Sequence, residues 1–274
     1  MVNDELGIRM KENYEMRSRS YLTRRTPVAI RIDGKAFHTF TKGFNKPFDE
    51  VLGDIMIKTM KYLCENIQGC VLGYTQSDEI TLILIDYKKL TSDAWFDYQV
   101  QKMCSVAASM ATMVFNKYFQ QAIDKFYLDN SNYYEYDEDR WNSEKNEELC
   151  RVYERAFKKG AMFDARCFNI PKEEVCNLIY WRQLDATRNS IQMVAQANFT
   201  HKELQGLSCN KLQDKLLTER DINWNDYETR WKRGTACIYD TENNQWKIDY
   251  EMPILKGEDR KYIDDLIFIK EEKE

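Results

Sequence analysis

The chain has 274 residues, 43% of them hydrophobic and 31% charged, with a formal net charge of -5. That length and apolar content suit one large domain or two modest ones around a buried core, and they exclude a disordered or collagen-like chain. No apolar run approaches the roughly 20 residues that span a bilayer, and the opening MVNDELGIRMKENYEMR is charged where an export signal needs an apolar stretch. The expectation is a cytoplasmic protein with no membrane contact. Its eight cysteines form no CxxC, and with only His38 and His201 beside them no zinc-finger spacing can be written.

Charge is unevenly spread. Residues 128–148 hold eight acidic and two basic side chains, a balance of -6 that leaves the remainder near +1. Residues 9–35 carry Arg9, Lys11, Arg17, Arg19, Arg24, Arg25, Arg31 and Lys35 against Glu12, Glu15 and Asp33. Such an excess suits either a solvated surface or contact with polyphosphate.

In chain order, VAIRID at 28–33 alternates with period two and predicts a strand ending at Asp33, followed by Gly34. Apolar residues at helical spacing predict a helix over 48–67 with Asp49 in its first turn. VLGYT (71–75) and EITLILI (79–85) are separated by Gln76, Ser77 and Asp78, which predicts an antiparallel hairpin. A second helix is expected over 95–119 and a fourth strand over 161–170. This order gives an α/β fold with a ferredoxin-like βαββαβ sheet. The acidic, Tyr-rich stretch at about 128–148 reads as a surface insertion. Residues 1–170 then form the first unit, and residues 171–274 a mainly helical C-terminal extension packed on it.

Asp33 and Asp78 are the most suggestive carboxylates. If the first strand pairs with the hairpin, both reach one edge of the sheet. Two hard oxygen ligands so placed suit Mg2+, which leaves its other positions to water and substrate phosphates, and two such ions can serve an attacking hydroxyl and a leaving phosphate. Gly34, without a side chain, would let backbone and triphosphate approach closely. The alternative is a pair of ordinary turns at Asp33-Gly34 and Ser77-Asp78-Glu79.

Arg31-Ile32-Asp33-Gly34-Lys35-Ala36-Phe37-His38, Phe44-Asn45-Lys46-Pro47-Phe48-Asp49 and Gly73-Tyr74-Thr75-Gln76-Ser77-Asp78-Glu79 together resemble the signature of the tRNA(His) guanylyltransferase family of 3′-to-5′ polymerases. Further matches are Phe163-Asp164-Ala165-Arg166, Trp181-Arg182-Gln183 with Asp185, and Ile222-Asn223-Trp224-Asn225, so the resemblance runs in order from about Lys11 to Thr235.

The resemblance implies a polymerase palm that adds nucleotides to the 5′ end of a tRNA after ATP has activated the 5′ phosphate. It further implies two Mg2+ ions on Asp33, Asp78 and the Gly34 carbonyl, with Glu79 beside them as a third catalytic acid. ATP, GTP or another nucleoside triphosphate would meet Arg31, Lys35, Phe37, His38, Lys46, Ser77 and Lys102. The tRNA would meet Arg24, Arg25, Arg166, Arg182, Arg188, Lys232 and Arg233. Arg166 and Arg182 have a second reading, as structural partners of Asp164 and Asp185. A homotetramer is expected.

One departure is informative. The eukaryotic branch continues its Trp-Arg-Gln-x-Asp run with Cys-His-Ile-Asn-Asn, whereas here Ala186-Thr187-Arg188-Asn189-Ser190 follows Asp185. This resembles the bacterial and archaeal branch, which repairs truncated tRNA 5′ ends, rather than the strictly tRNA(His)-specific one. A nucleotidyl cyclase on the same palm and a non-catalytic RNA-binding module are the rival readings.

Overall fold

The computed structural model of the protein describes residues 5–131, 140–240 and 243–269. In chain order the elements are α1 (Glu5–Asn13), β1 (Val28–Gly34), α2 (Phe37–Phe40), α3 (Glu50–Asn66), β2 (Cys70–Gln76), β3 (Glu79–Leu84), α4 (Val100–Ser131) and α5 (Arg140–Lys159). They continue with β4 (Phe163–Asn169), α6 (Lys172–Asn198), α7 (His201–Leu204), α8 (Cys209–Arg220), α9 (Thr229–Arg233), β5 (Thr235–Asp240), β6 (Gln245–Asp249) and α10 (Lys261–Ile267).

The strands form one antiparallel sheet in the order β4-β1-β3-β2-β5-β6. Its first four strands are the arrangement that the βαββαβ order predicts. The last two correct the reading of residues 171–274 as helical: β5 pairs with β2 and carries the sheet on into β6. The period-two signal there is short, and β6 is a half-exposed edge strand flanked by charged residues, so it left little trace in the apolar pattern.

Each strand turns alternate residues to opposite faces. Ile30, Ile32, Leu82 and Leu84 meet Met60 and Leu63 of α3 and Phe115 of α4 on one face. Ala29 and Ile83 meet Val175 and Ile179 of α6, with Ile263 and Ile267 of α10, on the other. The loop after β1 is folded back by a chain of rings: Phe37 lies 5.6 Å from Phe115, Phe40 5.5 Å from Phe119, and Phe44 5.0 Å from Tyr153, centroid to centroid.

Three local features differ from expectation. Asp49 is the N-cap of α3 rather than part of its first turn: its Oδ1 accepts the Leu52 N–H at 2.9 Å. The helix expected from residue 95 begins at Val100, because Phe96, Asp97 and Tyr98 adopt left-handed φ values of 51°, 53° and 57°. That turn costs about 1–2 kcal/mol per residue. It is held by the Arg24 ion pair with Asp97 at 3.1 Å and by the Leu22 N–H donating to the Tyr98 carbonyl at 3.0 Å. Finally, the supposed insertion is flanked by helix on both sides, with residues 132–139 outside the described residues. Beyond the stretch, α5 continues into the main core, where Leu149, Tyr153 and Ala156 are buried.

Tyr153 also reaches the loop that precedes α3, its hydroxyl donating to Asp49 Oδ2 at 2.8 Å beside the Asn45 N–H at 3.0 Å. Asp49 is buried, so losing this donor leaves carboxylate capacity unmet. Tyr153→Phe is expected to lower unfolding free energy by about 1–2 kcal/mol in urea, with the far-UV spectrum unchanged; an unaltered urea midpoint would remove α5 from this account of the Asp49 loop.

Candidate active site at the β1 and β2–β3 sheet end

Register brings the acids together. Asp33 near the end of β1 pairs with Glu79 of β3 on one side and Asp164 of β4 on the other, so the three side chains form a row on the face that α6 covers. The turn from β2 to β3 is tied to the same end by the Gly34 N–H, which donates to the Asp78 carbonyl at 3.1 Å. Ser77 makes that turn possible by adopting a left-handed φ of 51°, and its Oγ lies 3.2 Å from Asp78 Oδ1. Asp33 and Asp78 therefore converge from adjacent strands, as the hairpin reading requires.

The row is not chemically uniform. Glu79 is 5% exposed and faces two guanidiniums, Arg31 Nη2 at 2.8 Å from Oε2 and Arg182 Nε at 2.7 Å from Oε1. The second is a close ionic contact whose N–H is not well aimed, since Arg182 Nε makes no directed hydrogen bond. Arg182 also bonds Asp185 Oδ2 at 2.6 Å and is itself 5% exposed. This buried cluster pins α6 to the sheet, and removing one member would leave charge uncompensated at a cost of about 3–5 kcal/mol.

Asp33 and Asp78 have no such neutralising partner among the described ion pairs. Burial is the main cause that raises the Asp33 carboxyl above its ordinary range, with Glu79 and Asp164 adding to it. Burial likewise pushes Asp78 up to about 6, helped by Asp33, against the stabilising pull of its own backbone N–H and of Ser77. Arg166 and Arg31 draw the Asp33 carboxyl back only in part, and two carboxylates that repel one another could serve as donors to a hard divalent ion. Among the described residues no group of three or more His, Cys, Asp or Glu side chains is arranged to hold a metal ion.

Gly34 has a reason beyond ligand approach. A Cβ there would lie 2.3 Å from the Phe37 ring, so the glycine is required by packing. Phe37 itself, expected to meet a nucleotide, has its side chain buried among Phe40, Phe115 and Phe163. Lys35, His38, Lys46 and Ser77 are exposed around the acids and the loop after β1. Arg31, expected beside phosphate, is engaged with Glu79. Lys102 is exposed over the Phe96 ring at 5.0 Å. Because α4 runs with Cys104 against Cys167 and Thr112 against Phe163, Lys102 lies toward the far end of β4 from the Asp33 and Asp164 pair.

The arginines divide in the same way. Arg182 takes the structural of its two readings, and the exposed Arg24 guanidinium bonds Asp86 at 2.6 Å, Asp97 and the Ser92 carbonyl at 3.1 Å. Arg166 pairs with Asp164 at 3.0 Å yet remains 57% exposed. Arg188 pairs with Asp185 and is also largely exposed. Arg25 is exposed, Lys232 lies over Trp224, and Arg233 donates to Thr229.

Beside Ser77 a cleft of about 90 Å3 opens between the start of α3, the end of β2, α6 and α9. Its walls include Phe48 and Trp231, stacked 4.9 Å apart, with Gly53, Asn189 and Met193. Gly53 is obligatory because a Cβ would meet the Trp231 ring at 2.4 Å.

The contrast between Glu79 and Asp78 predicts stability changes of opposite sign. A carboxyl whose folded pKa lies near 6 against an ordinary 3.8 resists ionisation, so the fold loses stability as pH rises from about 4 through 6. Asp78→Asn should therefore raise metal-free stability at pH 7.5 by about 1–3 kcal/mol, with the gain vanishing at pH 4, whereas Glu79→Ala should lower it by about 3–5 kcal/mol. Thermal melts of the three proteins check this, and an Asp78→Asn variant less stable than the parent at pH 7.5 would contradict it.

Comparison with known proteins agrees with this geometry. The family model described as tRNAHis guanylyltransferase matches residues 8–171. A bacterial tRNA(His) guanylyltransferase-like protein solved in complex with ATP is 42% identical, with a TM-score of 0.79 over 96% of this chain and 100% of that one. A bacterial protein of the same description in complex with GTP is 38% identical, with a TM-score of 0.75 over 97% and 100%. The probable tRNA(His) guanylyltransferase of Homo sapiens is 24% identical over 82% of this chain and 69% of its own. Asp33, Gly34 and Asp78 lie within the matched region, and with fold, motif order and match in agreement, the chain belongs to the tRNAHis guanylyltransferase family of nucleotidyltransferases.

Proposed function

We propose that this protein is a template-dependent 3′-to-5′ nucleotidyltransferase that repairs tRNA 5′ ends. One observation carries the reading: two mutually repelling carboxylates, Asp33 and Asp78, neither of them in a direct ion pair among the described residues, stand at the sheet end where Ser77 lines a cleft. Two Mg2+ ions held by Asp33, Asp78 and the Gly34 carbonyl would supply the positive charge that a transferring phosphoryl group demands. The chain itself binds and orients. Lys35, His38 and Lys46 are placed to meet triphosphate oxygens, Ser77 to donate to one, and the Phe48 and Trp231 pair to bound a base.

No protein nucleophile is required, since the attacking group is the 3′-hydroxyl of the incoming nucleotide and the electrophile is the ATP-activated 5′ phosphate. ATP and GTP as substrates are supported by the bacterial relatives, whose structures hold them. Repair, rather than tRNA(His)-specific addition, is supported by Thr187 in the position of the eukaryotic histidine, where its hydroxyl donates to the Lys232 carbonyl at 3.0 Å, and by the greater identity to the bacterial proteins. Among the described residues no helix is long and apolar enough to cross a membrane. The working form is taken to be a cytoplasmic homotetramer, which sedimentation would check.

With Mg2+, ATP, labelled nucleotides and a tRNA lacking its first 5′ nucleotide, the protein is expected to lengthen the 5′ end. Asp33→Ala and Asp78→Ala should each cut extension by at least ~100-fold while tRNA affinity stays within about threefold. Extension at the parental rate by either variant overturns the metal assignment, and a cyclic nucleotide formed without RNA identifies the cyclase instead.

A further inference from the structure

On the α6 side of the sheet the helix covers only part of the face. Val175 and Ile179 pack onto Ala29 and Ile83, and one turn later Arg182 descends to Glu79. Beside Arg31 of β1 the preceding residue, Trp181, leaves 52% of its surface exposed. Two guanidiniums that both engage Glu79 lie over its ring, Arg182 Cζ at 4.4 Å and Arg31 Cζ at 5.3 Å from the centroid.

The register fixes what lies beside that ring. Arg31 and Asp33 of β1 sit opposite Arg166 and Asp164 of β4, all on this face, and β4 is the edge of the sheet. The result is a shelf: an indole, then Arg31 and Arg166, then Asp33 two residues along the strand. Exposed indole is costly in water, and here its orientation is set by cations that are already ion-paired to Glu79, Arg31 and Arg182, while Arg166 is paired to Asp164. The shelf therefore offers a flat π face with a partly neutralised basic rim. A base stacked on an aromatic ring beside a backbone that runs past arginines is the occupant this chemistry fits.

We infer that Trp181 is a positioning residue for RNA: its indole stacks a base at the 5′ end of the acceptor strand and so sets the end phosphate beside Asp33. This rests on the proposed function and extends it by naming the group that holds the RNA end. Neither the metal acids nor the nucleotide cleft includes this tryptophan.

The test uses the full chain with labelled tRNA lacking its first 5′ nucleotide. Trp181→Ala should raise KM for the RNA by about 5- to 100-fold, the range alanine replacement of a base-stacking aromatic produces, while KM for ATP and kcat at saturating RNA stay within twofold. Trp181→Phe keeps a stacking face and should bind RNA within about threefold of the parent. The parent's indole fluorescence should be quenched by RNA, and Trp181→Phe should lose that quench while still binding. Leu184→Ala, which removes an exposed apolar side chain of the same helix, should change neither.

An unchanged RNA KM in Trp181→Ala, when the parent extends RNA, overturns the inference. So does a shift in sedimentation of Trp181→Ala with RNA affinity intact, which would assign the indole to a contact between copies. If the parent binds RNA without extending it and Trp181→Ala weakens that binding, the platform stands and the reaction assignment fails. If the parent neither binds nor extends RNA, both fall.

Discussion

The site depends on holding two carboxylates together against their own repulsion. The force that does so is backbone pairing: the antiparallel register sets the end of β1 beside β3, and the Gly34 N–H to Asp78 carbonyl bond fastens the β2–β3 turn to it. Arg166 and Arg31 offset the local charge only in part, so both carboxyls stay raised above their ordinary range.

Around that unsatisfied pair the neighbouring charges are satisfied with care. Glu79, adjacent in the row, is closed off by Arg31 and Arg182, which anchors α6 to the sheet and keeps both cations at a fixed distance from Asp33. The far end of the strands is organised by a separate cluster, in which buried Asp86 accepts from Arg24 Nε and from the Arg25 N–H, supporting the left-handed turn before α4. The two ends thus use the same residue types for different purposes: one leaves oxygens free, the other leaves none.

Much of this was legible in the residues. The alternation of VAIRID, the short Gln76-Ser77-Asp78 connection and the helical spacing after Pro47 suffice to place Asp33 and Asp78 at one sheet end, because a strand's period and a hairpin's loop length are local properties. What depended on tertiary context was not. Arg182 on α6 reads like any helix arginine until its partner, Glu79, is found 103 positions earlier in the chain and buried. Phe37 lies within a motif run that suggests ligand contact, yet its ring is what makes Gly34 obligatory. Strand β6 was hidden because an edge strand needs little apolar alternation, β5 because its buried run is only Thr235, Ala236 and Cys237, and α5 because the helix begins inside an acidic stretch.

The central claim concerns where a divalent ion binds. Crystals grown with Mn2+ and a nonhydrolysable ATP analogue, measured at the manganese absorption edge, test it most directly. The account predicts anomalous density between the Asp33 and Asp78 carboxylates, within coordination distance of the Gly34 carbonyl and the triphosphate. Manganese bound elsewhere, with those two side chains turned apart, would contradict it.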